Sequence, residues 1–191
     1  MIDKSQRLFS FVAGEQGPWS IQSNTAVVGE SLPDAACLAV IGYTESVPES
    51  ASQWSLRGVT SNERYVTRDE KTALVARQAE LGRPAADRGA FIALRKNPQW
   101  WALTQDERRS IVEEQSRHIA LGMNYLPAIA RRLFHCRDLP SAQPFDFLTW
   151  FEFNAADAGA FDELLGLLHG TLEWQFVERE VDMRLIRGAR A

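Results

Sequence analysis

"GAFIALRK", residues 89–96, is apolar at nearly every position. A strand with one wet face alternates apolar and polar residues. This one does not, so it is predicted as a strand covered on both faces. "FDFLTWFEF" (145–153) has the same character. Between the two, Thr104 with Glu107 forms a capping box for a helix predicted to run through His118. After them, Asn154 caps a helix in which Phe161, Leu164, Leu165 and Leu168 fall on one face, and Gly170 stops it. "EWQFVEREVDMRLI" (173–186) then alternates as a last strand, setting Val177, Val181, Met183 and Leu185 against Glu178, Glu180, Asp182 and Arg184. The order from residue 89 is β-α-β-α-β.

The earlier residues are richer in turns. "RLFSFVAG" (7–14) and "PWSIQS" (18–23) read as strands around "GEQGP", and "WSLRGVTS" (54–61) as another. Thr67 with Glu70 opens a helix expected to reach Glu80 before "LGRP" ends it. "AACLAVIGY" (35–43) is an apolar patch, and the Ser/Pro/Glu-rich "TESVPESASQ" (44–53) is expected at the surface with no site role. The whole is α+β, with helices on one face of mostly antiparallel strands. Two ferredoxin-like domains are the expected arrangement, 1–88 and 89–191.

The chain has 191 residues, 45% of them hydrophobic, and a formal net charge of −4, which argues against a nucleic-acid partner. Cys37 and Cys136 are far apart and form no CxxC pair, so neither a disulfide framework nor a zinc site is expected. The N-terminus lacks the apolar core of a signal peptide, and no apolar run approaches the ~18–20 residues of a membrane span. A cytoplasmic location and no membrane partner are the expectations.

Several polar residues fall where apolar ones belong. His118 continues the stripe of Ile111 and Val112. It is either a core histidine with both nitrogens satisfied or a metal or haem ligand. Only His135 and His169 accompany it, neither at ligand spacing, so mononuclear zinc is disfavoured, whereas haem needs a single axial imidazole. Thirteen residues on, past Gly122 and Pro127, comes Arg131. An unbroken helix would carry it ~20 Å away. A bend at Gly122 and Pro127 would bring it back over the other face of a flat cofactor; otherwise Arg131–Arg132 is a solvated pair at a helix end. Gln78 sits on the stripe of Leu74, Val75 and Leu81 and needs partners if buried. Glu152 and Glu173 lie on apolar strand faces, and one of them hydrogen-bonding the second nitrogen of a ligating histidine would offset its burial.

"LRGVTSNERYVTR", "LVARQAELGRP", "RKNPQWWALTQDERRSIVEEQSRHIALGMNYLPAIARRLFHCRDL", "FDFLTWFEF" and "EWQFVERE" together resemble the short, signal-less branch of the chlorite dismutase family. The likeness runs from about Leu56 to the C-terminus. It implies a subunit of two ferredoxin-like domains (the dimeric α+β barrel type) and haem b in the C-terminal one. It also implies conversion of chlorite to chloride and dioxygen through hypochlorite. By this resemblance His118 is the proximal iron ligand and Arg131 the distal arginine that holds the anion and hypochlorite. Glu173 is the carboxylate on His118, with Glu152 as fallback, and Gln78 is a distal-side glutamine. Tyr65, Lys96 and Trp100 stand around the haem propionates, and the short relatives imply a homodimer. Of the alternatives, a coproporphyrin-haem decarboxylase of the same fold generally lacks the arginine. A haem peroxidase or sensor and a non-haem small-ligand binder also remain open.

Overall fold

In the computed structural model, which describes residues 7–42, 52–61 and 63–188, eight strands close into a barrel. They are β1 (Leu8–Gly14), β2 (Trp19–Val28), β3 (Cys37–Gly42), β4 (Ser52–Thr60), β5 (Arg88–Lys96), β6 (Ala130–His135), β7 (Phe147–Phe153) and β8 (Val177–Arg187). The order around the barrel is β1-β3-β2-β8-β5-β7-β6-β4, and every neighbouring pair is antiparallel. Closure leaves no free sheet edge. The first four strands occupy one contiguous arc and the last four the other.

Strand β5 explains its own composition. Phe91 and Ala93 point into the barrel, where they join Phe11, Leu38, Leu148 and Val181 in the main core. Ala90, Ile92 and Leu94 point outward and pack with Phe147, Phe151 and the helix residues Phe161 and Leu165. Two apolar faces produce an unbroken apolar run.

The outer face of the β5–β8 arc carries the helices. After β4 comes α1 (Arg68–Arg77), with its capping box at Thr67 and Glu70. After β5 come α2 (Pro98–Ala102) and α3 (Gln105–Arg109), which widens into a π-helical turn, Ser110–Gln115. The chain then breaks at Arg117, whose φ of 54° is left-handed, and restarts as α4 (His118–Asn124). α5 (Ala158–His169) precedes β8 and buries Phe161, Leu164, Leu165 and Leu168, as its spacing predicts.

Four expectations are corrected. The helix at Thr104 does not run continuously through His118; it ends before it, and the break comes at Arg117 instead of Gly122. "RRLFH" is strand β6, so Arg131 does not lie on a bent helix. α1 stops at Arg77, and none of its residues is fully buried. Glu173 precedes β8 in a 3-10 turn, Leu172–Phe176, and shares no strand face with Val177 and Val181. The patch around residue 39 is β3, and residues 44–51 of the Ser/Pro loop lie outside the described residues. Among the described residues no helix is long and apolar enough to cross a membrane.

Candidate active site

The sheet register brings the site together. Arg131 pairs with Phe151 and Leu133 with Thr149, while on the other side of β7 the same residues pair with Ala90 and Ile92 of β5. These rows face outward, and α4, α5 and α1 roof them over. The cavity beneath these helices is about 390 Å³, within the range of small-molecule sites. Its walls are largely apolar, with Ile92, Leu94, Phe151, Ile119, Leu164 and Leu168 among them. His118, Arg131, Glu173, Gln78, Tyr65, Lys96 and Trp100 all line it.

His118 is the first residue of α4, and the break at Arg117 is what aims it. The free backbone N–H groups of Ile119 and Ala120 are taken by the Glu113 carboxylate, at 2.7 and 3.3 Å. An anion at a helix N-terminus stabilises the restart. His118 Nδ1 lies 2.6 Å from Glu173 Oε2. Since Nδ1 is committed to the carboxylate, Nε2 is the nitrogen left for the cavity.

Glu173 is buried; its carboxylate also accepts from Lys96 Nζ at 3.0 Å, and its backbone N–H donates to the Ser116 hydroxyl oxygen at 3.0 Å. Burial alone would raise its pKa. The charges of His118 and Lys96, with their hydrogen bonds, outweigh burial and hold the carboxyl down at about 2. Lys96 is thereby spent: its ammonium, 2% exposed, sits between this carboxylate and the faces of Trp100 and Trp174. The carboxylate it neutralises belongs to the protein, where the resemblance implied a propionate. Glu152 lies elsewhere, engaged by Trp150 Nε1, Gly82 N and Arg187.

Arg131 is half-buried and sparsely bonded compared with Arg108, which donates to the carbonyls of Trp100, Trp101 and Leu103. The one side-chain hydrogen bond of Arg131 among the described residues runs from Nη1 to the Gly122 carbonyl, 3.0 Å. No carboxylate pairs with it there, and burial pulls its pKa down to about 10, so it remains charged at neutral pH. Arg132, its sequence neighbour, points to the opposite face and lies over the Phe9 ring. Gln78 is the C-cap of α1, and its amide donates to the adjacent Ala79 carbonyl.

Trp100 is 1% exposed, and its indole Nε1 has no hydrogen-bond partner among the described residues. Tyr65 meets it edge-on and holds a left-handed φ of 66°. Arg109 secures that conformation by donating to the Tyr65 carbonyl and to Glu70. Strain of this kind persists only where surrounding contacts fix it, and it gathers at functional sites.

The donor set fits a planar, anionic cofactor with a metal at its centre. One imidazole nitrogen is left for an apolar cavity, a buried indole N–H lacks an acceptor among the described residues, and Arg64 and Lys71, paired with Asp138 and Glu63, stand at the lining. Among the described residues no group of three or more His, Cys, Asp or Glu gathers to hold a bare ion. A metal here would therefore bring most of its own ligands, as haem iron does. Sequence reasoning missed Trp174, which stacks on His118 at 6.1 Å, and Glu113. Both depend on the turns around residues 116 and 173, which carry no periodic signal.

No family model matches the chain. A solved dimeric chlorite dismutase from Nitrobacter winogradskyi is 52% identical, with a TM-score of 0.86, covering 94% of this chain and 99% of that one. A chlorite dismutase variant from Candidatus Nitrospira defluvii shares the fold at 17% identity, TM-score 0.68, covering 98% and 93%. The chlorite dismutase of Ideonella dechloratans is 33% identical over an alignment of 115 residues that covers 58% of this chain. The match spans only 37% of that curated relative's length.

Proposed function

Because the chain belongs to the chlorite dismutase family, we propose that it is a haem b enzyme converting chlorite to chloride and dioxygen. The observation that carries this reading is a guanidinium with no carboxylate partner among the described residues, in the same apolar cavity as a carboxylate-anchored imidazole. A cation so placed is short of an anion, and chlorite is small and singly charged.

In this reading His118 holds the iron through Nε2. Glu173 fixes the ring's tautomer and makes the imidazole more electron-rich, and Lys96 keeps Glu173 ionised. Haem, when bound, supplies the redox centre at which the Cl–O bond breaks and the O–O bond forms. Arg131 binds the chlorite anion, orients it, and retains the hypochlorite fragment until dioxygen is made. Gln78 closes the same side. Trp100 Nε1 and Tyr65 face the propionate edge. The apolar walls exclude water and strengthen each charge interaction. No group is needed as a general base, because no proton is taken from substrate.

We read the two four-strand arcs as ferredoxin-like units divided near residue 88. Strand orders β8-β5-β7-β6 and β4-β1-β3-β2 support this. The first arc departs from the pattern in having no helix between β1 and β2. A homodimer is proposed from the similar dimeric relative.

The test is an oxygen-electrode measurement on haem-loaded protein given chlorite. One dioxygen per chlorite supports the assignment. An intact Soret band with no dioxygen overturns it in favour of a haem protein with other chemistry, and failure to take up haem overturns it altogether.

A further inference from the structure

Gly122 lies in the middle of α4, one turn beyond His118. Glycine is a poor choice there, because it costs conformational entropy that alanine would not. Space explains it. A Cβ built on Gly122 would stand 2.5 Å from Nη1, 2.6 Å from Nη2 and 2.8 Å from Cζ of Arg131. The Nη edge of the guanidinium therefore fills the place on the helix where a side chain would be, and the carbonyl of the same residue accepts from Nη1 at 3.0 Å.

We propose that Gly122 is a positioning residue: its missing side chain is the seat that holds the Arg131 guanidinium in the cavity. The seat ties the anion-handling arginine of β6 to the helix that carries His118. The proposal rests on the reading of Arg131 given above.

Gly122→Ala separates the seat from everything else. The backbone carbonyl stays, so the hydrogen-bond acceptor is kept and only the slot is filled. What must give way is the far end of a flexible side chain, so the fold should survive. Alanine favours the helix, and the melting temperature should equal or exceed wild type. Gly166→Ala on α5, where a Cβ meets nothing within 4 Å, is the matched control.

Two readouts judge it. In protein carrying 15N-arginine, the Arg131 Nε–H signal, assigned by its loss in Arg131→Ala, should move toward the position of solvent-exposed arginines in Gly122→Ala. It should stay put in Gly166→Ala. This readout needs no haem. In ferric haem-loaded protein titrated with azide at the Soret band, Gly122→Ala should weaken binding about five- to tenfold, a change of roughly 1 kcal/mol. Gly122→Ala/Arg131→Ala should bind no more weakly than Arg131→Ala alone. An unmoved Arg131 signal in Gly122→Ala overturns the seat. So does wild-type azide affinity in Gly122→Ala when Arg131→Ala is weakened. Wild-type affinity in Arg131→Ala instead overturns the anion-holding role, and the arginine signal then decides the seat by itself.

Discussion

His118 Nδ1 and Glu173 Oε2 lie 2.6 Å apart although 55 residues separate them in the chain. The contact joins the first residue of α4 to the turn before β8. Its other oxygen receives Lys96 from the end of β5. Three elements thus converge on one carboxylate.

Glu173→Gln should therefore act in two ways. It leaves the Lys96 ammonium buried without a counter-charge, which costs about 3–5 kcal/mol. At roughly 2–4 °C per kcal/mol for a chain of this size, a clear fall in melting temperature follows. It also removes the carboxylate from His118, and haem affinity should fall about 10–100-fold. Glu173→Gln/Lys96→Met should recover most of the stability and none of the haem affinity. Calorimetry and haem titration on both variants separate the two effects. Recovery of both would show that the carboxylate does nothing for the imidazole.

The barrel interior gives a second expectation. A Cβ on Gly58 of β4 would sit 2.6 Å from the Phe134 Cβ on the neighbouring strand. Both atoms are fixed to backbone, so neither can swing aside. Gly58→Ala should cost about 1–3 kcal/mol through overpacking. Gly166→Ala, on an exposed helix surface with open space, should gain roughly 0.5–1 kcal/mol. Equal melting temperatures for the two variants would contradict this account of the packing.

What the sequence revealed and concealed follows from range. Strand β5, strand β7 and helix α5 were legible because burial on one or two faces writes a period into the residues themselves. Both capping boxes were legible because their four residues are contiguous. His118 and Glu173 stood out as polar residues in apolar surroundings, though Glu173 reaches its place through a 3-10 turn instead of a strand. Arg131 stands out by its charge, but the sequence points to a helix end, not to strand β6. "ARRLFH" is short, and its alternation shows only once Arg131 is known to face the cavity and Arg132 the other way. The break at Arg117 depends on a carboxylate four residues upstream capping the next helix. No local pattern marks that. Nor did Lys96 announce its partner, which lies 77 residues away.

Cysteine chemistry should divide cleanly. Cys136 is 1% exposed, and burial in the company of Asp146 and Asp138 pushes its thiol up to about 12. A thiol so placed is protonated and inert at pH 8. Cys37 on β3 is partly exposed. Iodoacetamide on the native protein should give one adduct, mapped by peptide mass spectrometry to Cys37, and a second only after unfolding. Modification of native Cys136 at a comparable rate would mean that this side of the barrel opens readily.

The pH dependence of stability should carry the mark of His169. Its Nε2 meets Glu180 Oε1 at 2.9 Å, and Trp174 Nε1 holds the other oxygen of that fully buried carboxylate at 2.8 Å. The hydrogen bond to Glu180 raises the His169 pKa; burial opposes it, and the charges of Glu180 and Asp182 reinforce it. A folded-state pKa above the unfolded value of about 6.5 means that folding favours the protonated ring. That stabilisation is complete below pH ~6.5 and disappears as the pH climbs through the higher folded value. His169→Gln keeps a neutral donor and removes the titration. Between pH 5.5 and 9, wild type should exceed the variant in melting temperature most at the acid end. The gap should narrow steadily as the pH rises past 6.5. A gap that is constant, or that widens toward alkaline pH, would show that the Glu180 contact is made by the neutral imidazole in both states.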